Sequence, residues 1–209
     1  MIENPVVTSV KKINTCLNMN LNNNNINLRE LISGNIEEFS DGALTNINSY
    51  AFYSCTKLKS INLSACTSIG TSAFDDCKSL TSINLPACTS IGTSAFNSCT
   101  TLTSINLPAC TSIVNYAFYS CKSLTSIDLP ACTSIGSYAF YGCTALTIIK
   151  LTNPSKICTL SNSNAFKNTA IANKAGYIYV PDELVEQYKT ATNWSVYASQ
   201  IKPLSAYTE

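Results

Sequence analysis

Apolar positions along this chain repeat every twenty-two residues. Phe52, Phe74, Phe96, Phe118 and Phe140 keep that step, as do Ile61, Ile83, Ile105, Ile127 and Ile149. Leu63, Leu85, Leu107, Leu129 and Leu151 form a third column, and Ile47, Ile69, Ile91, Ile113, Ile135 and Ile157 a further one. Separate columns in one register mark an internal repeat, which predicts a stacked array. Within each unit the Ile-x-Leu pair alternates with period two, as in a short strand with one buried face. Pro86, Pro108 and Pro130 follow that strand, and a residue without an N–H ends a ladder there. Gly70, Gly92 and Gly136 suit a tight bend. The Ala-Phe-x-x-Cys-x-x-Leu block then spaces its apolar positions by three, which predicts a helical or 3-10 turn with one inward stripe.

Leu58-x-x-Ile61-x-Leu63-x-x-Cys66 recurs from Leu80, Leu102 and Leu124, the cysteine form of a leucine-rich repeat. A lone coil offers eight or nine inward apolar side chains, worth ~1.5–3 kcal/mol each when fully buried. Fixing its backbone costs on the order of 1–2 kcal/mol per residue, so stability must be collective along the stack. The expected fold is a leucine-rich repeat solenoid. It is a right-handed superhelix of six or seven coils, built of short parallel β-strands, with 3-10 or turn segments on the convex side and a short C-terminal capping helix.

Three regions are expected: an irregular Asn-rich N-terminal cap over 1–35, an array over 36–180 and a helical cap over 181–209. Leu17 and Met19 are a candidate strand of a first coil, or belong to a loose segment. Ile36, Phe39, Leu44, Ile47 and Phe52 fit the register, with Asp41 in place of the second strand leucine. At the other end Pro154 falls in the cysteine column, and four extra residues separate Ile157 from Phe166. Ile178-Tyr179-Val180-Pro181 reads as a last strand, and "PDELVEQYKTA" as a helix with Leu184, Val185 and Tyr188 on one face. Trp194 and Ile201 are expected to help seal the core.

Composition narrows the function. Charged residues make up only 12% of the chain, with thirteen basic against twelve acidic. That leaves no basic stripe for nucleic acid. The chain has no histidine, which removes the commonest general base and a frequent metal ligand. No apolar run reaches the roughly 18–20 residues of a membrane helix. The opening "MIENPVVTSVKKINTCLN" lacks the order of a secretory leader. The chain is therefore expected to stay inside the cell, to be a fragment, or to leave by another route.

Units such as "LTSINLPACTSIGTSAFNSC", with their Ile-Gly-x-x-Ala-Phe-x-x-Cys block, resemble the BspA-like leucine-rich repeat family over about residues 36–205. The tail "YIYVPDELVEQYKTATNWSVYASQIKPLS" is similar to the C-terminal segment of such proteins from gut bacteria. Units of twenty-two rather than twenty-three residues are a small departure. The resemblance implies an extracellular or cell-surface adhesive protein and brings no catalytic residues.

Three sets of residues are candidates for chemistry. Cysteines fall in two columns, Cys55/Cys77/Cys99/Cys121/Cys143 and Cys66/Cys88/Cys110/Cys132, with Cys16 and Cys158 besides. They read as ladders of buried thiols. Disulfides are the sharper alternative, since coils about 4.8 Å apart come within bridging range, but parallel Cβ vectors in one column oppose a bond. No C-x-x-C occurs, and no metal or other cofactor is expected. The outward strand positions carry Ser60 and Asn62, Ser82 and Asn84, Ser104 and Asn106, Ser126 and Asp128, then Ile148 and Lys150. They form either a solvated face with Asn bonded along its column or a concave platform for a partner, with Asn62, Asn84, Asn106, Asp128 and Lys150 as contacts. Tyr116, Tyr119, Tyr138 and Tyr141 are expected to cluster near the bend. They cover the convex side, or bind, since tyrosine adds contact area at small entropy cost.

Asp75 and Asp76 are adjacent in a turn and do not face each other across a cleft, as paired-carboxylate catalysis requires. Thr and Ser neighbours project to opposite faces, which disfavours an ice-binding grid. The reading is a non-enzymatic binding or adhesion module for a protein or glycan partner, without nucleic acid or membrane insertion, and monomeric. A structural spacer or a virion or cell-surface display module is the alternative, and a polysaccharide-active β-solenoid a remote one.

Overall fold

The computed structural model describes residues 35–208. The proposed strand at Leu17 and Met19, Cys16 and nearly all of the cap at 1–35 lie outside the described residues. The rest is a parallel-strand β-solenoid of about eight turns. The expected strand column runs through β1 (Glu38–Ser40), β3 (Ser60–Asn62), β5 (Ser82–Asn84), β7 (Ser104–Asn106), β9 (Ser126–Asp128), β11 (Ile148–Lys150) and β13 (Tyr177–Val180). A final strand, β14 (Ile201–Pro203), continues it beyond the strand read as the last.

A second column accompanies it: β2 (Asn46–Ile47), β4 (Ser68–Ile69), β6 (Ser90–Ile91), β8 (Ser112–Ile113), β10 (Ser134–Ile135) and β12 (Thr159–Leu160). These six form one parallel sheet. Sequence reading assigns no strand here, because two residues are too few to show alternation. On the third side the backbone still bonds from coil to coil. The N–H groups of Phe52, Phe74, Phe96 and Phe118 each donate 2.8 Å to the carbonyl of Ala73, Ala95, Ala117 and Ala139. There the Ala-Phe-x-x-Cys block is a chain of tight turns rather than helix. Bonds such as Cys77 N–H to the Phe74 carbonyl close it (3.2 Å), and φ is positive at Ser72 and Asp76.

Stacking turns each sequence column into a line of contacts. Phe52, Phe74, Phe96, Phe118, Phe140 and Phe166 stack at centroid separations of 5.0, 5.3, 5.3, 5.3 and 5.6 Å. The line ends on Trp194 (5.7 Å) and Tyr197 (5.5 Å) of the cap. Helix α1 (Val185–Thr190) buries Val185 and Tyr188. Cap side chains also take the polar groups of the last coil. The Cys158 N–H donates to Tyr188 Oη (2.7 Å), while Trp194 Nε1 donates to the Cys158 carbonyl (2.7 Å). Asn193 Nδ2 donates to the Leu160 carbonyl (2.8 Å). The outer edge of β12 is thereby covered.

The register corrects the placement of the insertion. Ile135 pairs with Leu160, not with Ile157, and Ser134 with Thr159. Cys158 thus keeps the cysteine column, its sulphur 3.8 Å from that of Cys132. The four extra residues bulge between Leu151 and Cys158, with Pro154 exposed at their middle.

One coil departs from the others. A Cβ on Gly92 would lie 2.5 Å from the Gly70 carbonyl carbon, so neighbouring backbones approach as closely as glycine permits. Gly70, Gly92 and Gly136 each donate 2.7 Å to the isoleucine carbonyl of the preceding coil. Val114 stands in this column, makes no such bond, and leaves β6 joined to β8 only at Ser90 and Ser112. The missing glycine and the missing bond thus coincide. The first strand column also divides in this region, into β1-β3-β5-β7 and β14-β13-β11-β9. Gly92→Val should therefore lose the Gly92 amide bond and lower stability by about 1–3 kcal/mol. The denaturant midpoint checks this, and an unchanged midpoint would mean that close approach is not required.

Candidate functional site

Alternate residues of the first strand column face outward. Asn62, Asn84, Asn106 and Asp128 are exposed and Lys150 is half-buried. Asn62 pairs in register with Asn84, and Asn84 with Asn106, whose Nδ2 donates 3.1 Å to Asn84 Oδ1. Lys150 Nζ lies 3.2 Å from Asp128 and 4.8 Å from the Tyr207 ring centroid. These five positions follow one another along the column, β7 and β9 being packed neighbours, but hydrogen bonding between the strands is interrupted. The ladder divides between Asn106 and Asp128, leaving an amide half and a half that turns aromatic and cationic. The second half includes Tyr177, Tyr179 and Lys202, with Lys202 Nζ 5.6 Å from the Tyr177 ring. Sequence reading missed these three. Tyr179 occupies an outward position of a recognised strand and Tyr177 stands just before it, but Lys202 belongs to a strand that no repeat column announces.

Tyr116, Tyr119, Tyr138 and Tyr141 come together. Tyr116 stacks on Tyr138 (5.2 Å, 3°) and Tyr119 on Tyr141 (5.0 Å, 4°). The two stacks touch at 5.8 Å within each coil, tilted by 52° and 54°. Repetition sets this square. Both stacks are columns of adjacent coils, and a ring separation near the coil spacing allows parallel overlap. Tyr116 and Tyr138 have φ of 58° and 57°, in a column where two other coils place Ser72 and Ser94 and a third places Tyr50, with φ of 65°. A bulky residue in the left-handed region costs roughly 1–2 kcal/mol. Local conformation therefore favours small residues here, and something else favours tyrosine.

The same two columns run back through coils without tyrosine. Ser94 and Asn97 occupy them one coil before, Ser72 and Asp75 two coils before, and Tyr50 and Tyr53 three coils before. Asp75 is half-buried, and burial pushes its carboxyl above the usual range, opposed by hydrogen bonds from Ser72 and Asn97. Lys78 pairs with Asp76 instead, at 2.9 Å. The adjacent aspartates thus have different surroundings, which the sequence did not show.

All ten cysteines of the described residues are free and buried. Their sulphurs bond to backbone as well as fill space. Cys77, Cys99, Cys121 and Cys143 reach the phenylalanine carbonyls of the preceding coil at 3.1, 3.1, 3.0 and 3.0 Å. Cys66, Cys88, Cys110 and Cys132 reach a serine carbonyl two residues on, at 3.3, 3.2, 3.3 and 3.3 Å. Burial pushes the Cys88 thiol up to about 12 and Cys110 to about 11. Such thiols stay protonated and unreactive near neutrality. Among the described residues, no group of three or more Cys, Asp or Glu side chains could hold a metal ion. No helix among them is long and apolar enough to cross a membrane.

The BspA type Leucine rich repeat region matches this sequence in six copies, over residues 25–130 and 67–184. The chain belongs to that family. Its fold is similar to that of a leucine rich cell surface protein from Faecalibacterium prausnitzii, with TM-score 0.54 and 24% identity, covering 71% of this chain and 48% of that one. A leucine-rich repeat protein from Eubacterium ventriosum is similar at TM-score 0.55 and 23% identity, covering 65% and 43%. The T. pallidum leucine-rich repeat protein matches at TM-score 0.50 and 36% identity, covering 52% of each chain. This BspA-type chain spans about half the length of these relatives or less. No curated protein matches it.

Proposed function

We propose that this chain is a non-enzymatic recognition module of a cell-surface protein and engages a protein or glycan partner as a monomer. The binding surface is the tyrosine square on the turn face. The observation that carries this reading is the pair Tyr116 and Tyr138, rings stacked on one another in a left-handed backbone conformation that the two preceding coils give to Ser72 and Ser94 and an earlier one to Tyr50. Sparsely populated conformations concentrate at binding sites, where interaction with a ligand offsets the strain. Tyrosine supplies large, rigid, amphipathic area. The family and a fold relative described as a cell surface protein support the setting. The strand face is the weaker candidate, because Asp128 and Lys150 already neutralise each other.

The test borrows residues that the repeat itself accepts. Tyr116→Ser, Tyr138→Ser, Tyr119→Asn and Tyr141→Asn together copy the Ser94 and Asn97 coil. This variant is expected to keep its melting temperature within a few degrees. Its capture on arrays of purified extracellular proteins and glycans should fall at least about tenfold. Equal capture by wild type and variant would move the binding surface to the strand face, and no capture by either would favour the spacer reading.

A further inference from the structure

The tyrosine stacks have a direction. Rings parallel within 3° and 4°, with centroids 5.2 and 5.0 Å apart, are too close to lie side by side, so they overlap face to face along the solenoid. Tyr138 covers one face of Tyr116, and Tyr141 one face of Tyr119. The opposite faces point back toward the coil of Ser94 and Asn97. In that coil and the one before it, the two columns hold Ser94, Asn97, Ser72 and Asp75 instead of rings. Tyr50 and Tyr53 stand on the far side, 6.1 Å from each other.

We propose that this two-coil interval is a carbohydrate subsite, in which a neutral pyranose continues the aromatic stack on Tyr116 and Tyr119 while its hydroxyls bond to Asn97, Asp75 and Ser94. The inference rests on the reading of the tyrosine square as the binding surface and names the ligand class. A sugar ring stacked on Tyr116 would take the place that a tyrosine ring of the preceding coil, ~4.8 Å away, would hold. Its C–H face suits the electron-rich face of a ring. The polar side supplies what a diol needs. Asp75 and Asn97 occupy one column in successive coils, so a carboxylate and an amide stand one coil step apart, and Ser98 Oγ donates to Asn97 Oδ1 (3.2 Å) and orients that amide.

Charge selects against the alternatives. Lys78 is paired with Asp76, which leaves the Asp75 carboxylate to face the ligand. An anionic sugar would be repelled. A flat aromatic ligand could stack, but would leave the carboxylate and amide without the hydroxyl partners that give them a use.

Isothermal titration and saturation-transfer NMR on the full chain, with neutral tetrasaccharides of glucose, galactose and mannose, test the subsite. At least one is expected to bind, with transfer strongest at ring C–H protons, and tetragalacturonate about tenfold or more weaker. The variant Ser94→Tyr with Asn97→Tyr extends both stacks by one coil into the subsite. It should keep the fold and lose tetrasaccharide binding at least about tenfold. Asp75→Asn, which keeps the shape, should weaken binding less than this and reduce discrimination against tetragalacturonate. Undiminished binding by the stack-extending variant overturns the inference, and so does binding of no neutral tetrasaccharide. Should tyrosine-dependent protein capture persist while no sugar binds, the subsite falls and the recognition function stands.

Discussion

Titration with base is expected to unfold this protein between about pH 9 and pH 11, with a steepness set by its cysteine columns. Burial is the largest cause raising the thiols of Cys66, Cys88, Cys99, Cys110 and Cys121 above their ordinary value. In the unfolded chain a thiol ionises near 8.5. Below that pH both states hold the proton, and the stabilisation is complete. Above it the unfolded chain sheds protons that the folded chain keeps. The unfolded state then binds fewer protons, so stability falls with rising pH until the folded thiols themselves titrate, at about 11 for Cys110 and about 12 for Cys88. Each proton so retained contributes about 1.4 kcal/mol per pH unit, so those of Cys88 and Cys110 alone contribute about 3. A domain is ordinarily stable by only 5–15 kcal/mol in total.

Tyr197, pushed up to about 12 by burial, acts in the same direction. Denaturant midpoints taken at successive pH values under reductant measure the slope. Cys88→Ala with Cys110→Ala should make the alkaline limb shallower by about 3 kcal/mol per pH unit. A midpoint that stays level to pH 11 would mean that the columns ionise while folded.

Removing the indole at the C-terminal end is the second large effect. Trp194 is 1% exposed, packs at a tilt on Phe166, meets Tyr188 edge-on at 5.3 Å and donates to the Cys158 carbonyl. Trp194→Ala leaves a cavity worth about 3–5 kcal/mol. It also strips that carbonyl of its partner, worth about 1–3 kcal/mol more. The last coil would then present an uncovered sheet edge, and concentration-dependent association should follow. Trp194→Phe keeps most of the packing and loses the indole N–H, so its loss should be intermediate. Chemical denaturation with light scattering reads both effects. A loss under about 1 kcal/mol with no association would show that the array needs no seal.

Where the chain repeats, its text is nearly a drawing of the molecule. Phe74, Phe96 and Phe118 stack because equal positions in equal coils lie one step apart. The same reasoning placed the buried thiols, the outward asparagines and the four tyrosines. It worked less well where a feature is shorter than a period or occurs once. Ser68–Ile69 and its counterparts are strands of two residues, visible only as an isoleucine column. Ile157 has the right spacing to continue that column, yet Leu160 occupies it, because the chain bulges at Pro154 and returns to register at Cys158. A substitution such as Val114 for glycine looks conservative in a bend. Only the tertiary structure shows that the bond made by Gly70, Gly92 and Gly136 is missing there.

The sequence by itself determined the repeat, the family, the inward and outward positions and the proximity of the tyrosines, because a fixed period converts spacing into contact. Tertiary structure alone decided three other things: the direction of the tyrosine stacks, the unlike surroundings of Asp75 and Asp76, and the hydrogen bonds by which Tyr188, Asn193 and Trp194 close the last coil. Those depend on side-chain orientation and on segments without a repeat, where neighbours in space are chosen by packing and hydrogen-bond demand rather than by distance along the chain.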